Sequence, residues 1–379
     1  MAVSELADSS ADRDDLGPVG EENVRFIRNF HDIFLSLGLA ILISGVALTS
    51  FLIGGEAILA MFNGSLGTAT QGSLRLVAGI AAANALVAWL LAEVFARSRR
   101  LFLPAIVTYI AFTTFFSIAV TVLYASTIDI QNFSSFFGNE GPGSTSLFEE
   151  FLVFGTIMYG AAAFASLLYY ARTKLALSFA IGAASFFSAI VSMVSKSAPG
   201  LLITNSVLIQ ILSGVFLFLL GIYFDARDPM RRTRFADNGF WLHFFAAPTI
   251  FYAVLMYVTS GAAVLTGGFS SNIQGPPVAV ATLMLVFVFA LISVLINRRA
   301  FLVSGLLAAI IAVGVLFNSA GLGAAWTAAG TLLTLGIAMV VLGGAWSSIR
   351  RVVVSPFPKT GFWARIIPPE PDEERAETA

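Results

Sequence analysis

Long apolar runs alternate with short polar segments along the whole chain. A transmembrane helix needs about 20 apolar residues to cross roughly 30 Å of hydrocarbon. It must also satisfy its own backbone hydrogen bonds there, which makes long uncharged runs helical. The pattern therefore predicts an all-α integral membrane protein with about ten transmembrane helices. The predicted spans are 33–54, 75–95, 101–124, 151–171, 175–195, 201–223, 240–262, 276–296, 300–317 and 324–346.

The basic residues between these spans predict their orientation, because Lys and Arg concentrate in cytoplasmic loops. With the N-terminus in the cytoplasm, all 21 Lys and Arg residues except Arg75 and Lys196 lie in cytoplasmic segments. A wrong number of helices would exchange the cytoplasmic and outer loops from that point onward. The basic residues would then be distributed over both sides of the membrane. We therefore expect ten spans with both termini in the cytoplasm.

Composition agrees with a bilayer environment, since 58% of the residues are hydrophobic and only 11% are charged. Soluble domains contain roughly 25% charged residues. The chain has no cysteine, which excludes disulfides and thiolate metal sites, and its net charge of −1 gives no reason to expect a nucleic-acid partner. The catalytic motifs HExxH, GxSxG and the P-loop are absent from the sequence. These features favour a protein that is not an enzyme and that binds no cofactor or metal.

The segments outside the spans differ in composition. Residues 1–24 are acidic and rich in Ser and Ala, which predicts a disordered cytoplasmic tail. Residues 125–150 contain acidic but no basic side chains, and we interpret them as an outer loop, either an irregular connector or a short interfacial helix or lid. Residues 347–379 are predicted to form a cytoplasmic tail, interfacial at first and then disordered.

Short motifs recur in the same order and predict internal repeats. Arg25-Phe26-x-x-Asn29 opens the first span, and Arg234-Phe235-x-x-Asn238 opens the seventh. Spans four to six likewise resemble spans eight to ten. Equivalent spans are separated by even numbers of helices, so the copies are parallel, as in several transporter families. The predicted membrane units are 25–124 (spans 1–3), 151–223 (spans 4–6) and 224–346 (spans 7–10).

Polar residues within the spans are candidate ligand positions, because they are costly in a membrane. Asn84, Asn205 and Gln210 are amides that either bind a ligand or form hydrogen bonds between helices. Glu93 lies four residues before Arg97, a favourable spacing for a local ion pair, although it is also a candidate for lining a pathway.

The two histidines begin the first and seventh spans. With Asp32 beside His31, and His243 at the corresponding end of a similar span, they form a candidate proton-responsive or ligand-binding cluster. The alternative is that both are interfacial imidazoles satisfied by lipid headgroups or backbone carbonyls.

One inner loop is unusually basic. It contains Arg227, Arg231, Arg232 and Arg234. Such a loop sets topology, and it is also a candidate site for anionic lipids or a cytoplasmic partner.

Two segments carry a resemblance to a known family. Phe30-His31-Asp32-Ile33-Phe34 and Asp237-Asn-Gly-Phe240-Trp241-Leu242-His243 resemble entry motifs of a family of bacterial multi-pass membrane proteins without an assigned activity. That family has Asn where this chain has His31. The resemblance implies location in the bacterial inner membrane and supplies no catalytic residues.

Two functions of different classes follow from these features. The first is a transporter or permease-like protein for a neutral or amphipathic solute, which the duplication and the ten spans favour. The scarcity of charge within the spans counts against ion-coupled or proton-coupled transport. The second is a non-transporting scaffold or accessory subunit that binds lipids or protein partners through its aromatic helices and basic loops.

Overall fold

The computed structural model describes residues 30–62, 71–99, 101–127, 145–198, 205–231, 233–260, 275–358, 361, 363 and 366–368, without the side chains of 30, 31, 56–62, 145–150 and 258–260. Within these ranges every regular element is helical, and ten helices are long and apolar enough to cross a membrane. This confirms the prediction of an all-helical protein with ten potential spans. The predicted tail 1–24 and most of the predicted loop 125–150 lie outside the described residues.

The described residues divide into two compact units. The N-terminal unit lies within Arg25–Thr204 and the C-terminal unit within Asn205–Ala379. Helices α1 to α5 of the N-terminal unit are Phe30–Phe62, Gln71–Ala92, Phe102–Ala125, Thr145–Thr173 and Ala176–Ser197. Helices α6 to α11 of the C-terminal unit are Ser206–Arg227, Arg234–Ser260, Pro276–Ile296, Ala300–Ser319, Ala324–Gly344 and the short Trp346–Val354.

Antiparallel hairpins organise both units. In the N-terminal unit α2 packs on α3 and α4 packs on α5, with α3 joining the hairpins and α1 lying against α2 and α3. In the C-terminal unit α6 packs on α7 and α8 on α9, with α7 joining them, α10 on α9 and α11 on α8. Small side chains permit this close packing in a membrane. On α2, for example, Ala81, Ala85, Ala88 and Ala92 form one buried row at helical spacing.

Several helices extend beyond their predicted spans. Helix α7 begins at Arg234 rather than at 240, and α6 runs from Ser206 to Arg227 rather than over 201–223. Hydropathy detects the apolar part of a helix, whereas its last turns continue into polar sequence at the membrane surface. The predicted eighth span, 276–296, coincides with α8.

Two further backbone features position polar side chains. Helix α2 continues as a π-helical turn, Glu93–Ser98, in which the Arg99 N–H donates to the Val94 carbonyl at 3.3 Å. Such turns are rare and are frequently found at functional sites. The α4–α5 and α8–α9 corners each contain a left-handed residue, Lys174 at φ 58° and Asn297 at φ 52°.

Candidate polar site of the C-terminal unit

Three ionisable side chains meet inside the C-terminal unit. Arg298 Nε donates to Asp225 Oδ2 at 3.2 Å, and Arg298 Nη2 donates to Asp225 Oδ1. His243 Nε2 lies 3.1 Å from the same Oδ2 atom. The exposed fractions are 0% for His243, 2% for Arg298 and 4% for Asp225. One buried carboxylate therefore accepts hydrogen bonds from both a guanidinium and an imidazole.

The helix ends bring these residues together. Asp225 lies in the last turn of α6, His243 lies in α7, and Arg298 lies in the α8–α9 corner. Both hairpins thus place their connecting segments at the same end of the unit. The α6–α7 segment is held by Asp228, whose Oδ2 accepts hydrogen bonds from the Thr233 N–H at 2.7 Å and the Thr233 hydroxyl at 2.6 Å.

Two glycines make room for the cluster. An added Cβ at Gly221 would lie 2.8 to 3.0 Å from three atoms of the His243 ring. An added Cβ at Gly239 would collide with the Asp225 carboxylate and the Arg298 guanidinium. The backbones of α6 and α7 therefore form two walls of the site, and a larger side chain at either glycine would displace the polar groups.

The α8–α9 corner is fixed by a further set of hydrogen bonds. The Arg231 guanidinium donates to the carbonyls of Ile296 and Asn297, both at 2.8 Å. Trp346 Nε1 donates to the Asn297 side-chain oxygen at 3.0 Å. Arg298 itself donates to the Ala236 carbonyl at 3.1 Å. The α6–α7 segment and α11 thus both brace the corner that carries Arg298.

Hydrogen bonding indicates the protonation states. An ionised carboxylate only accepts hydrogen bonds, so His243 must carry its proton on Nε2 to bond Asp225. His243 Nδ1 then holds a bare lone pair, and it has no hydrogen-bond partner among the described residues. Phe218 and Phe301 lie against the ring, with centroids 5.3 and 5.9 Å from it. The site is therefore a neutralised Asp225–Arg298 pair beside a neutral imidazole in apolar surroundings.

The structure places Glu93 in a different polar contact. In the N-terminal unit its carboxylate accepts a hydrogen bond from Arg97 at 3.0 Å and one from Arg172 Nε at 2.5 Å. The sequence indicated the Arg97 contact, but it did not indicate Arg172, which lies 79 residues away. The Glu93 side chain is 26% exposed, so this ion pair is far more accessible than that of Asp225.

The predicted amides do not gather at one place. Asn84 is buried and exchanges hydrogen bonds with Ser50 of α1, with Asn84 Nδ2 to Ser50 Oγ at 2.7 Å. Asn205 is exposed just before α6, and Gln210 is partly exposed one turn inside that helix. At 1.5 Å per residue, Gln210 lies roughly 22 Å along α6 from Asp225.

The side chain of His31 lies outside the described residues, so its predicted cluster with His243 stays a prediction. Asp32 is buried in the first turn of α1, where its carbonyl accepts a hydrogen bond from Ser36 at 2.5 Å. His243 is not an interfacial imidazole of the kind considered above, because its side chain is fully enclosed by the C-terminal unit.

The basic loop contains side chains in different environments. Arg227 is exposed and lies over the Tyr223 ring, 4.3 Å from its centroid, and Arg234 is exposed in the first turn of α7. Arg231 instead reaches inward to the α8–α9 corner. Arg232 lies outside the described residues.

Sequence reasoning missed two of the three residues of the site. Asp225 directly follows the apolar run of α6, and Arg298 is among the basic residues that the orientation prediction assigns to cytoplasmic segments. The detectable signal was an acid at the end of one span and an arginine at the matching end of another. In the part of the chain that the structure describes, no group of three or more His, Asp or Glu side chains is arranged to hold a metal ion.

No protein-family model, curated protein or solved structure matches this chain. The bacterial inner-membrane family suggested by the entry motifs therefore stays a resemblance of short segments, and function must be argued from the geometry of the chain itself.

Proposed function

We propose that this protein is a permease-like transporter for a neutral or amphipathic solute, located in a bacterial inner membrane with both termini in the cytoplasm. The buried Asp225–His243–Arg298 cluster carries the proposal. Ionisable groups inside membrane proteins are rare and costly, and they commonly mark transport pathways and proton relays. Replacing a buried ion pair by apolar residues is often neutral or stabilising. Stability alone therefore gives little reason for the chain to keep this cluster.

The division into two units, each with five helices long enough to span a membrane among the described residues, supports the proposal. Alternating access commonly moves one bundle of helices against another as rigid bodies. Each unit here has an ion pair that ties its hairpins together at the helix ends, Glu93–Arg172 in one and Asp225–Arg298 in the other. Units braced in this way are suited to move without losing their internal packing.

The same ion pairs support parallel internal repeats related by a shift of four spans. The acid lies at the end of α2 or α6, and the arginine lies at or just beyond the end of α4 or α8. The left-handed corner residues Lys174 and Asn297 occupy matching places between α4 and α5 and between α8 and α9. This shift agrees with the similarity of spans four to six to spans eight to ten.

The expected solute is uncharged because the buried charge in the C-terminal unit is already balanced. Asp225 is paired with Arg298, so no net charge remains there to hold an ion. The interior around it is apolar and aromatic, with Phe251, Phe289 and Phe301 in mutual contact. A neutral or amphipathic molecule would cross such a region at the lowest desolvation cost.

An accessory or scaffold protein is the second candidate. The observation that favours it is α10, which packs mainly on α9 and α11 and exposes a continuous apolar surface. Its exposed side chains include Trp326, Leu332, Leu333, Ile337 and Val340. A scaffold would use this surface, together with exposed arginines such as Arg227, to hold lipids or a membrane-protein partner.

Electron paramagnetic resonance distances in proteoliposomes distinguish the two functions. The chain has no cysteine, so spin labels can be added at chosen positions without a background. Labels at the exposed positions Thr127 and Ser319 measure a distance between the two units. Labels at the exposed positions Ser206 and Ser319 measure a distance within the C-terminal unit and serve as the matched control.

If the protein is a transporter, the Thr127→Cys/Ser319→Cys variant should show at least two label-to-label distances. The proportions of these distances should change with membrane potential or with added neutral solutes. At constant pH the Ser206→Cys/Ser319→Cys distance should stay single. One fixed between-unit distance under every condition would reject the transporter and favour the scaffold. A solute that shifts the proportions would be the first to test for uptake.

A further inference from the structure

We propose that Asp225 and His243 form a proton-binding site, and that a proton taken up on His243 displaces Arg298 from the carboxylate. The proposal deepens the proposed function, on which it rests for its role, by naming the proton as the coupling ion. It departs from the expectation, drawn from the scarcity of charge in the spans, that proton coupling is disfavoured.

The geometry provides a place for the proton. His243 donates from Nε2 to Asp225, so the acceptor for an added proton is Nδ1. That atom is buried and has no hydrogen-bond partner among the described residues. Unpaired buried polar atoms are uncommon in folded proteins, and each one suggests a strained or working group. The lone pair on Nδ1 is thus available to a proton.

The charged groups around the imidazole decide what protonation does. Asp225 faces it from α6, Arg298 from the α8–α9 corner, and Arg231 acts on it from the α6–α7 segment. Phe218, Phe301 and Gly221, which also lie against the ring, do not titrate. An imidazolium would therefore place a third positive charge near a single carboxylate.

Repulsion by the imidazolium and competition for Asp225 Oδ2 both act against Arg298, whose remaining bond to the carboxylate is from Nη2 to Oδ1. Asp225 Oδ2 accepts from both His243 Nε2, at 3.1 Å, and Arg298 Nε, at 3.2 Å. A charged imidazole bonds the carboxylate more strongly than a neutral one. Arg231 donates to other acceptors, the carbonyls of Ile296 and Asn297.

Displacement of Arg298 would move a helix corner. Its carbonyl accepts the Ser293 hydroxyl at 2.7 Å and its guanidinium reaches the Ala236 carbonyl, so the side chain links the α8–α9 corner to α7. Releasing that link removes one of the contacts that hold the α8–α9 hairpin against the α6–α7 hairpin, while the Arg231 hydrogen bonds to the corner remain. Proton uptake at His243 would in this way change the packing of helices within the C-terminal unit.

Histidine nitrogen NMR in lipid nanodiscs tests the proton site directly. The full-length chain has two histidines, and a His31→Gln variant assigns their signals. At about pH 8 His243 should give the neutral form protonated at Nε2, and on lowering the pH to about 5 an imidazolium signal should appear. A His243 signal that stays neutral to about pH 5 overturns the proposal.

A spin-label pair tests the coupling to the corner. Met230 and Val303 are exposed on the α6–α7 segment and in the first turn of α9. Between about pH 8 and pH 5 their separation should change by about 2 to 5 Å, the size of a helix shift. His243→Gln keeps a donor to Asp225 but takes no proton, and it should hold the pH 8 distance throughout.

An unchanged distance in the otherwise unmodified chain, or the same change in His243→Gln, overturns the proposed coupling. Both measurements are made within the C-terminal unit and require no transported solute. A failure here is therefore distinguishable from a failure of the between-unit distance test.

Discussion

Replacing Asp225 by Asn removes the only negative charge of the buried cluster while keeping its shape. Arg298, 2% exposed, would then lose the ionised carboxylate to which it donates two hydrogen bonds. Removing one partner of a buried ion pair costs roughly 3 to 5 kcal/mol. An amide has one accepting oxygen where the carboxylate has two, so its NH2 group would face N–H donors of Arg298 or His243 whose hydrogen bonds the carboxylate accepts. We expect Asp225→Asn to lower the free energy of unfolding by about 4 kcal/mol, nearly a thousandfold in the unfolding equilibrium constant.

Reversible unfolding in mixed micelles, followed by circular dichroism, measures this loss. Glu93→Gln is the matched control, because Glu93 also bonds arginines but is 26% exposed. Exposed ion pairs contribute about 0 to 1 kcal/mol, so that variant should lose no more. Combining Asp225→Asn with Arg298→Gln removes the uncompensated charge and should recover part of the stability. The reasoning is refuted if Asp225→Asn costs no more than Glu93→Gln.

Two further predictions concern helix packing and are measured by the same unfolding assay. Gly221→Ala should destabilise by about 1 to 3 kcal/mol, because its Cβ would overlap the His243 ring. Gly336→Ala should instead stabilise by about 0.5 to 1 kcal/mol, because nothing lies within 4 Å of the added Cβ. Equal changes in stability for Gly221→Ala and Gly336→Ala would contradict the packing around His243. Asn84→Ala and Ser50→Ala should show a coupling of about 0.6 kcal/mol in a double-mutant cycle, typical of hydrogen bonds between membrane helices. Fully additive losses would mean that this bond contributes nothing.

The sequence determined the number and approximate limits of the ten potential membrane spans. A bilayer leaves the backbone few ways to satisfy its hydrogen bonds, so an apolar run of sufficient length must be helical. The run 276–296 therefore predicted α8 without error. At α7 the same reasoning placed the start six residues too late, because the polar turn that begins at Arg234 is helical without being apolar.

The candidate site was only partly predictable, because its residues are far apart in the chain. His243 was identifiable from the rarity of histidine, and the Glu93–Arg97 contact from helical spacing. Asp225 and Arg298 are separated by 73 residues, and each looks like an ordinary charged residue at a span end. Local periodicity carries no information about which span ends meet.

Apolar length and charge asymmetry, both properties of short segments, fixed the helical class and the ten potential spans. The tertiary structure determined which charged side chains are buried and which stay exposed. Hairpin packing turned Asp225, His243 and Arg298 toward one another, while Arg227 and Arg234 stayed exposed. The physical reason is that burying a charge becomes tolerable only when a partner of opposite sign is held within hydrogen-bond distance, and only the packing of distant helices supplies that partner.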